Sequence, residues 1–120
     1  MVQYKIGIDI GSTTAKVVVL RAGDGSLVFQ RYERHQAKVR ECLAGFFSAI
    51  AGVVGNEPVE VNITGSVGMG VCERCGIPFV QEVVAASNYV RHAHPEVSTM
   101  IDIGGEDAKV VFFEEQRATD

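Results

Sequence analysis

Apolar residues recur at every second position near the start of the chain. Val2, Tyr4, Ile6, Ile8 and Ile10 share one face, and Gln3, Lys5 and Asp9 share the other. A period of two with β-branched residues predicts a strand over 2–10. Gly11-Ser12-Thr13 reads as a turn, and the apolar run returns as a second strand over 15–21. Gly23-Asp24-Gly25 turns again into a third strand over 26–34. Turns this short make the three strands an antiparallel meander.

The period then changes. Val39, Leu43, Phe46, Ile50 and Val53 fall on one stripe of an amphipathic helix over 36–54. Gly45 and Gly52 weaken it by about 1 kcal/mol each relative to alanine. Gly55-Asn56 ends it, and Val59, Val61 and Ile63 predict a fourth strand. A helix crosses over before that strand, so it can lie parallel to the first. A loop at 65–68, a short helix near 69–75, a short fifth strand at Phe79-Val80 and a helix over 82–93 follow. Strands over 98–103 and 107–114 then flank Gly104-Gly105. The order is βββαβαβα followed by a β-hairpin, which predicts an α/β fold with a mixed five-stranded sheet.

Composition narrows the class. The 120 residues suit one hydrophobic core, and 47% hydrophobic with 22% charged residues is ordinary for a globular domain. The formal net charge of −4 gives no basic face for nucleic acid or an anionic membrane. No stretch has the make-up of a signal peptide or the length of a membrane span. The three cysteines, an odd number, argue against a disulfide framework, and a cytoplasmic location is expected.

One phrase occurs twice. IDIGSTTAKVV at 8–18 and IDIGGEDAKVV at 101–111 agree at eight of eleven positions, with a constant offset of 93. In both, an aspartate lies within a strand whose neighbouring isoleucines have the opposite parity. Burying such a carboxylate is costly unless something pairs with it. Magnesium reached through its waters would serve, which makes Asp9 and Asp102 candidate metal residues. In the first copy Gly11 lets a ligand approach the backbone, and Ser12, Thr13 and Thr14 offer N–H and hydroxyl donors suited to phosphate. Lys16 adds a positive charge if its side chain faces the turn. In the second copy Gly104 and Gly105 open the backbone, and Glu106 and Asp107 offer carboxylates to metal or water. Together the two turns would grip a polyphosphate and its magnesium. No G-x-x-x-x-G-K-[ST] loop is present, and GSVGMG at 65–70 resembles a dinucleotide fingerprint only loosely and reads as a plain strand-to-helix loop.

DIGSTTAK and DIGGEDAK resemble the two phosphate motifs of the actin-like ATPase superfamily, whose ribonuclease H-like domain has the same element order. A narrower resemblance rests on IGIDIGSTTAKVVVL, YERH, TGSVGMGV, GIPFVQEVVAASNYV and IDIGGEDAKVVFFEEQR. These segments, in this order, resemble the activators of 2-hydroxyacyl-CoA dehydratases and benzoyl-CoA reductases, in particular the long form termed CoA-substrate-specific enzyme activase. The resemblance implies ATP or ADP with magnesium as ligand and a homodimer that docks a dehydratase or reductase. It also implies a [4Fe-4S] cluster between subunits, and ATP hydrolysis that drives an electron to very low potential. Asp9, Glu106 and Asp107 would be catalytic, with Glu106 standing where relatives often carry glutamine. Gly11, Ser12, Thr13, Thr14, Lys16, Asp102, Gly104 and Gly105 would bind the nucleotide. The cluster cysteines of such activators lie beyond the second hairpin. The chain therefore reads as an N-terminal fragment: residues 1–97 as a first domain, and 98–120 as the opening hairpin of a second. By itself it is expected to be inactive. A small-molecule kinase of the same superfamily and a non-catalytic phosphate-binding module are the competing functions.

Other features have plainer readings. Cys72 and Cys75 form a lone C-x-x-C on a short helix, which reads as packing. His92 and His94 near a helix C-terminus suit its dipole. Arg31, Arg34, Lys38 and Arg40 make a modest solvated basic cluster.

Overall fold

The structure, a computed structural model, describes residues 1–103 and 108–113. The chain divides into two compact units, Met1–Val80 and Gln81–Asp120. The first unit contains β1 (Tyr4–Ile10), β2 (Thr14–Arg21), β3 (Leu27–Arg34), α1 (Val39–Val54), β4 (Val59–Thr64) and α2 (Gly68–Cys75). Its sheet has the order β3-β2-β1-β4, with β1–β2 and β2–β3 antiparallel and β1–β4 parallel. The mixed α/β sheet expected from the sequence is thus present.

Alternation along the strands decides what is buried. Ile6, Ile8 and Ile10 of β1, Ala15, Val17 and Val19 of β2, and Ile63 of β4 are all buried on one face. Cys42, Leu43, Phe46, Ile50 and Val54 of α1 and Cys72 of α2 complete the core. Burying each large aliphatic or aromatic side chain contributes roughly 1.5–3 kcal/mol. Gly45 and Gly52 lie on the exposed side of α1, where an added Cβ would meet nothing within 4 Å. Gly55 ends the helix at φ 60°, donating its N–H to the Ala51 carbonyl at 3.0 Å.

Two expectations need correction. The first long helix starts at Val39 rather than at residue 36, because Gln36 and Ala37 take φ values of 51° and 61°. Lys38 N–H closes that turn on the His35 carbonyl at 2.7 Å. The fifth strand shrinks to a single parallel bridge between Ile63 and Phe79. Ile63 N–H donates to the Pro78 carbonyl and Val80 N–H to the Ile63 carbonyl. Proline before the bridge and a helix starting at Glu82 leave no length for more.

The second unit contains α3 (Glu82–Ala93), β5 (Thr99–Ile103) and β6 (Ala108–Phe112), the last two forming an antiparallel hairpin. No helix among the described residues is long and apolar enough to cross a membrane.

Candidate functional site

β1 and β4 run parallel, so their C-terminal ends lie side by side at one end of the sheet. Asp9 is in register with Lys16 on β2 and with Thr64 on β4, and Lys16 is in register with Tyr32 on β3. This row crosses all four strands on the face opposite the buried isoleucines. Lys16 therefore points to the same side as Asp9. Its Nζ lies 3.8 Å from Asp9 Oδ2 and 5.5 Å from the centroid of the Tyr32 ring. The lysine and aspartate side chains are 50% and 40% exposed, so the pair contributes about 0–1 kcal/mol and yields readily to a stronger ligand. Thr64 Oγ1 is buried and has no hydrogen-bond partner among the described residues. An orphaned hydroxyl next in register to a half-exposed carboxylate is an opening for one more polar group.

Next to this row is the turn. Gly11 N–H donates to the Thr14 carbonyl at 2.9 Å, which leaves Ser12 and Thr13 as a two-residue loop. Both are exposed, and neither backbone N–H has an acceptor among the described residues. A Cβ at Gly11 would meet only the Thr14 carbonyl oxygen, at an ordinary 3.6 Å. The fold thus makes no demand for glycine there, and any demand must come from what approaches from outside.

Gly65 is different. At φ 102° it follows β4, and a Cβ would overlap the Ile10 carbonyl group. The same carbonyl accepts Val67 N–H at 3.0 Å. The loop after β4, expected only to link strand to helix, thus fastens the end of β1 and fixes the base of the Gly11–Thr14 turn.

Sequence reasoning missed His35, the one polar or charged residue among those buried in the described structure. Its Nε2 lies 2.8 Å from the Gly11 carbonyl oxygen, and its Nδ1 accepts Ala37 N–H at 3.2 Å. Its backbone N–H donates to the Thr13 carbonyl at 3.1 Å. In the sequence His35 stands out only as the last residue of YERH, directly after a strand, which does not reveal a partner 24 residues away.

In the second hairpin, Asp102 is in register with Lys109, Ile101 with Val110 and Ile103 with Ala108. Asp9–Lys16, Ile8–Val17 and Ile10–Ala15 pair the same way, at the offset of 93. Gly104, Gly105, Glu106 and Asp107 lie outside the described residues.

Among the described residues no three His, Cys, Asp or Glu side chains gather into a metal cage. A single open carboxylate fits magnesium, which keeps most of its water and takes one or two protein oxygens. The cysteines are not arranged as a ligand set. Cys72 is buried and directs its thiol to the Pro78 carbonyl at 3.7 Å, whereas Cys75 is exposed. Cys42 directs its thiol to Glu33 Oε2 at 3.6 Å. Burial, then the neighbouring Glu33 charge, pushes the Cys42 thiol up from its ordinary pKa; burial and then Cys75 do the same to Cys72. His94 caps α3 through its N–H to the Val90 carbonyl, with Nδ1 3.6 Å from Glu96.

No protein-family profile matches the chain. The 2-hydroxyisocaproyl-CoA dehydratase activator of Clostridioides difficile is 30% identical over 113 residues, covering 90% of this chain and 40% of the activator. The solved structure of the activator of the 2-hydroxyisocaproyl-CoA dehydratase from Clostridium difficile, with bound ADPNP, superposes with a TM-score of 0.73 at 27% identity. That match covers 92% of this chain and 41% of the other. Component A of the Acidaminococcus fermentans (R)-2-hydroxyglutaryl-CoA dehydratase gives a TM-score of 0.68 at 26% identity, over 98% of this chain and 45% of that one. The chain thus spans less than half the length of these relatives and matches their N-terminal part.

Proposed function

We propose that this chain, which has the actin-like ATPase fold and is similar to the N-terminal part of 2-hydroxyacyl-CoA dehydratase activators, is the phosphate-binding portion of an ATP-hydrolysing activator. In this reading the longer protein couples hydrolysis to low-potential electron transfer into a 2-hydroxyacyl-CoA dehydratase or related CoA-ester reductase. It does so as a homodimer with a [4Fe-4S] cluster whose ligands are not among Cys42, Cys72 and Cys75.

The observation that carries the proposal is the Gly11–Thr14 turn. Two exposed N–H groups without acceptors among the described residues, hydroxyls on the same residues and a glycine the fold does not require suit a phosphate better than they suit a plain hairpin. Ser12 and Thr13 would donate to phosphate oxygens. Asp9 would hold magnesium through its waters once Lys16 swings from the carboxylate towards phosphate. The Thr64 hydroxyl is placed to accept from or donate to one of those waters. Asp102 would repeat the role of Asp9 in the second hairpin, with Gly104 and Gly105 giving backbone access to phosphate. Glu106 and Asp107 would order or activate the attacking water.

Titration calorimetry with magnesium-ATP tests this. The longer protein carrying these residues is expected to bind at micromolar concentration or tighter, and residues 1–120 alone only weakly. Tight, magnesium-dependent binding by residues 1–120 alone would overturn the idea that this piece holds only part of the site. No binding by the longer protein would overturn the nucleotide reading itself.

A further inference from the structure

We infer that His35 is the positioning residue of the Gly11–Thr14 turn, holding the Gly11 carbonyl inward so that the Ser12 N–H points out towards a phosphate. The inference rests on the phosphate reading of that turn and adds a residue to it. The Gly11 carbonyl oxygen can only accept, so His35 Nε2 must carry the proton at their 2.8 Å contact. Ala37 N–H can only donate, so Nδ1 must be bare at 3.2 Å. The two contacts together admit one form of the ring, the neutral Nε2–H tautomer.

The consequence for the turn follows from peptide planarity. The Gly11 carbonyl and the Ser12 N–H belong to one trans peptide and point in opposite directions. His35 is buried, so a carbonyl drawn towards it sends the N–H to the exposed side. The His35 backbone N–H takes the Thr13 carbonyl at 3.1 Å, anchoring the far end of the same two-residue loop. One residue thus holds both ends. Without it the Gly11 carbonyl would be free to turn outward, where its partial negative charge would repel a phosphate.

The backbone around His35 is shaped for this task. Gln36 and Ala37 both adopt left-handed φ values, at a cost of roughly 1–2 kcal/mol each for residues with a Cβ. That conformation brings Ala37 N–H back onto Nδ1 and so selects the tautomer. A strained pair directly after a buried histidine has no role in the hydrophobic core, since both residues are exposed.

The test uses the longer protein carrying these residues, with His35→Leu and His35→Gln. Leucine fills the space without a donor, and glutamine restores an N–H donor at similar reach. Nitrogen NMR of the wild-type ring is expected to show the Nε2–H tautomer. His35→Leu should shift the Ser12 amide resonance, leave the Ile6 and Val19 amides in place, and weaken magnesium-ADP binding about tenfold. His35→Gln should recover binding to within about threefold of wild type, which a filler role would not predict. An Nδ1–H tautomer, an unmoved Ser12 amide in a folded His35→Leu protein, or a glutamine variant as weak as the leucine one would each overturn the inference. If wild type binds no magnesium-ADP, the nucleotide reading falls. The ring tautomer and the Ser12 amide then decide on positioning alone.

Discussion

The two copies of the repeated phrase fold into hairpins with the same register but opposite exposure. Ile8 and Ile10 are 1% and 0% exposed, whereas their counterparts Ile101 and Ile103 are 63% and 78% exposed. The local instruction is the same: aspartate opposite lysine, isoleucine opposite valine, isoleucine opposite alanine. What differs is the neighbourhood. β1 has β2 on one side and β4 on the other, and its isoleucines share a core with α1, whereas among the described residues β5 pairs with β6 alone. Pairing is thus written in the eleven residues, and burial is supplied by what surrounds them.

The sharpest way to break this comparison is to shave the same side chain from both copies. Ile8→Ala should destabilise the first unit by about 2–5 kcal/mol, the range for large-to-small core changes. Ile101→Ala in the 120-residue chain should stay within about 0.5 kcal/mol, as exposed positions do. Urea titration of both variants reads the difference, and equal losses would mean that the second hairpin is covered.

A smaller effect separates folding from binding in the first copy. Gly11→Ala should change stability by less than about 0.5 kcal/mol, because its Cβ meets nothing closer than 3.6 Å. In the longer protein it should nevertheless weaken magnesium-ATP binding by about tenfold or more, near 1.4 kcal/mol. A large fall in the melting midpoint would instead return Gly11 to the fold.

Smaller still is the contribution of the aspartate–lysine pair. Lys16→Met should cost less than about 1 kcal/mol, since the two groups are half-exposed and 3.8 Å apart. A larger loss in thermal melts would mark the pair as structural.

The last test uses thiols, which occur only in the first unit. Burial raises the folded-state pKa of Cys42 and Cys72 above the unfolded value. The folded chain holds those protons more tightly, so the contribution is complete below the ordinary thiol range and is lost as pH rises through the raised values. Urea midpoints of the first unit should therefore decline modestly on the alkaline side. The decline should shrink in Cys42→Ala, and an identical slope in that variant would count against the assignment.

Much of this architecture was legible because it is periodic. Alternation along residues 2–10 and the stripe from Val39 to Val53 mark out the first strand and the first long helix in the sequence. The repeat itself foretold that both hairpins share a register. The misses have local physical causes. A run of residues that looked helical from 36 begins with two left-handed residues, a conformation in which Ala37 N–H meets the His35 ring at 3.2 Å instead of entering the helix. A strand expected at Phe79-Val80 has room for one bridge between a proline and a helix. The candidate site divides in the same way. Asp9, Ser12, Thr13 and Lys16 stand out in the sequence as chemistry-bearing types. His35 and Thr64 do not, because one meets a distant backbone carbonyl and the other stands out only through a hydroxyl that has no partner among the described residues.

The parallel pairing of β1 with β4 also bears on the order in which the molecule assembles. β1, β2 and β3 meet through short turns, but Tyr4 must wait for Val59, with α1 in between. Contacts so far apart in sequence form slowly, because loop closure must come first. The meander should therefore appear early in a refolding experiment and the docking of β4 late. Val67 and Gly65 reach the Ile10 carbonyl only with that docking, so the end of the sheet that carries the Gly11–Thr14 turn is expected to be the last part of the first unit to become rigid. A nascent chain would carry the Gly11–Thr14 turn long before it could use it.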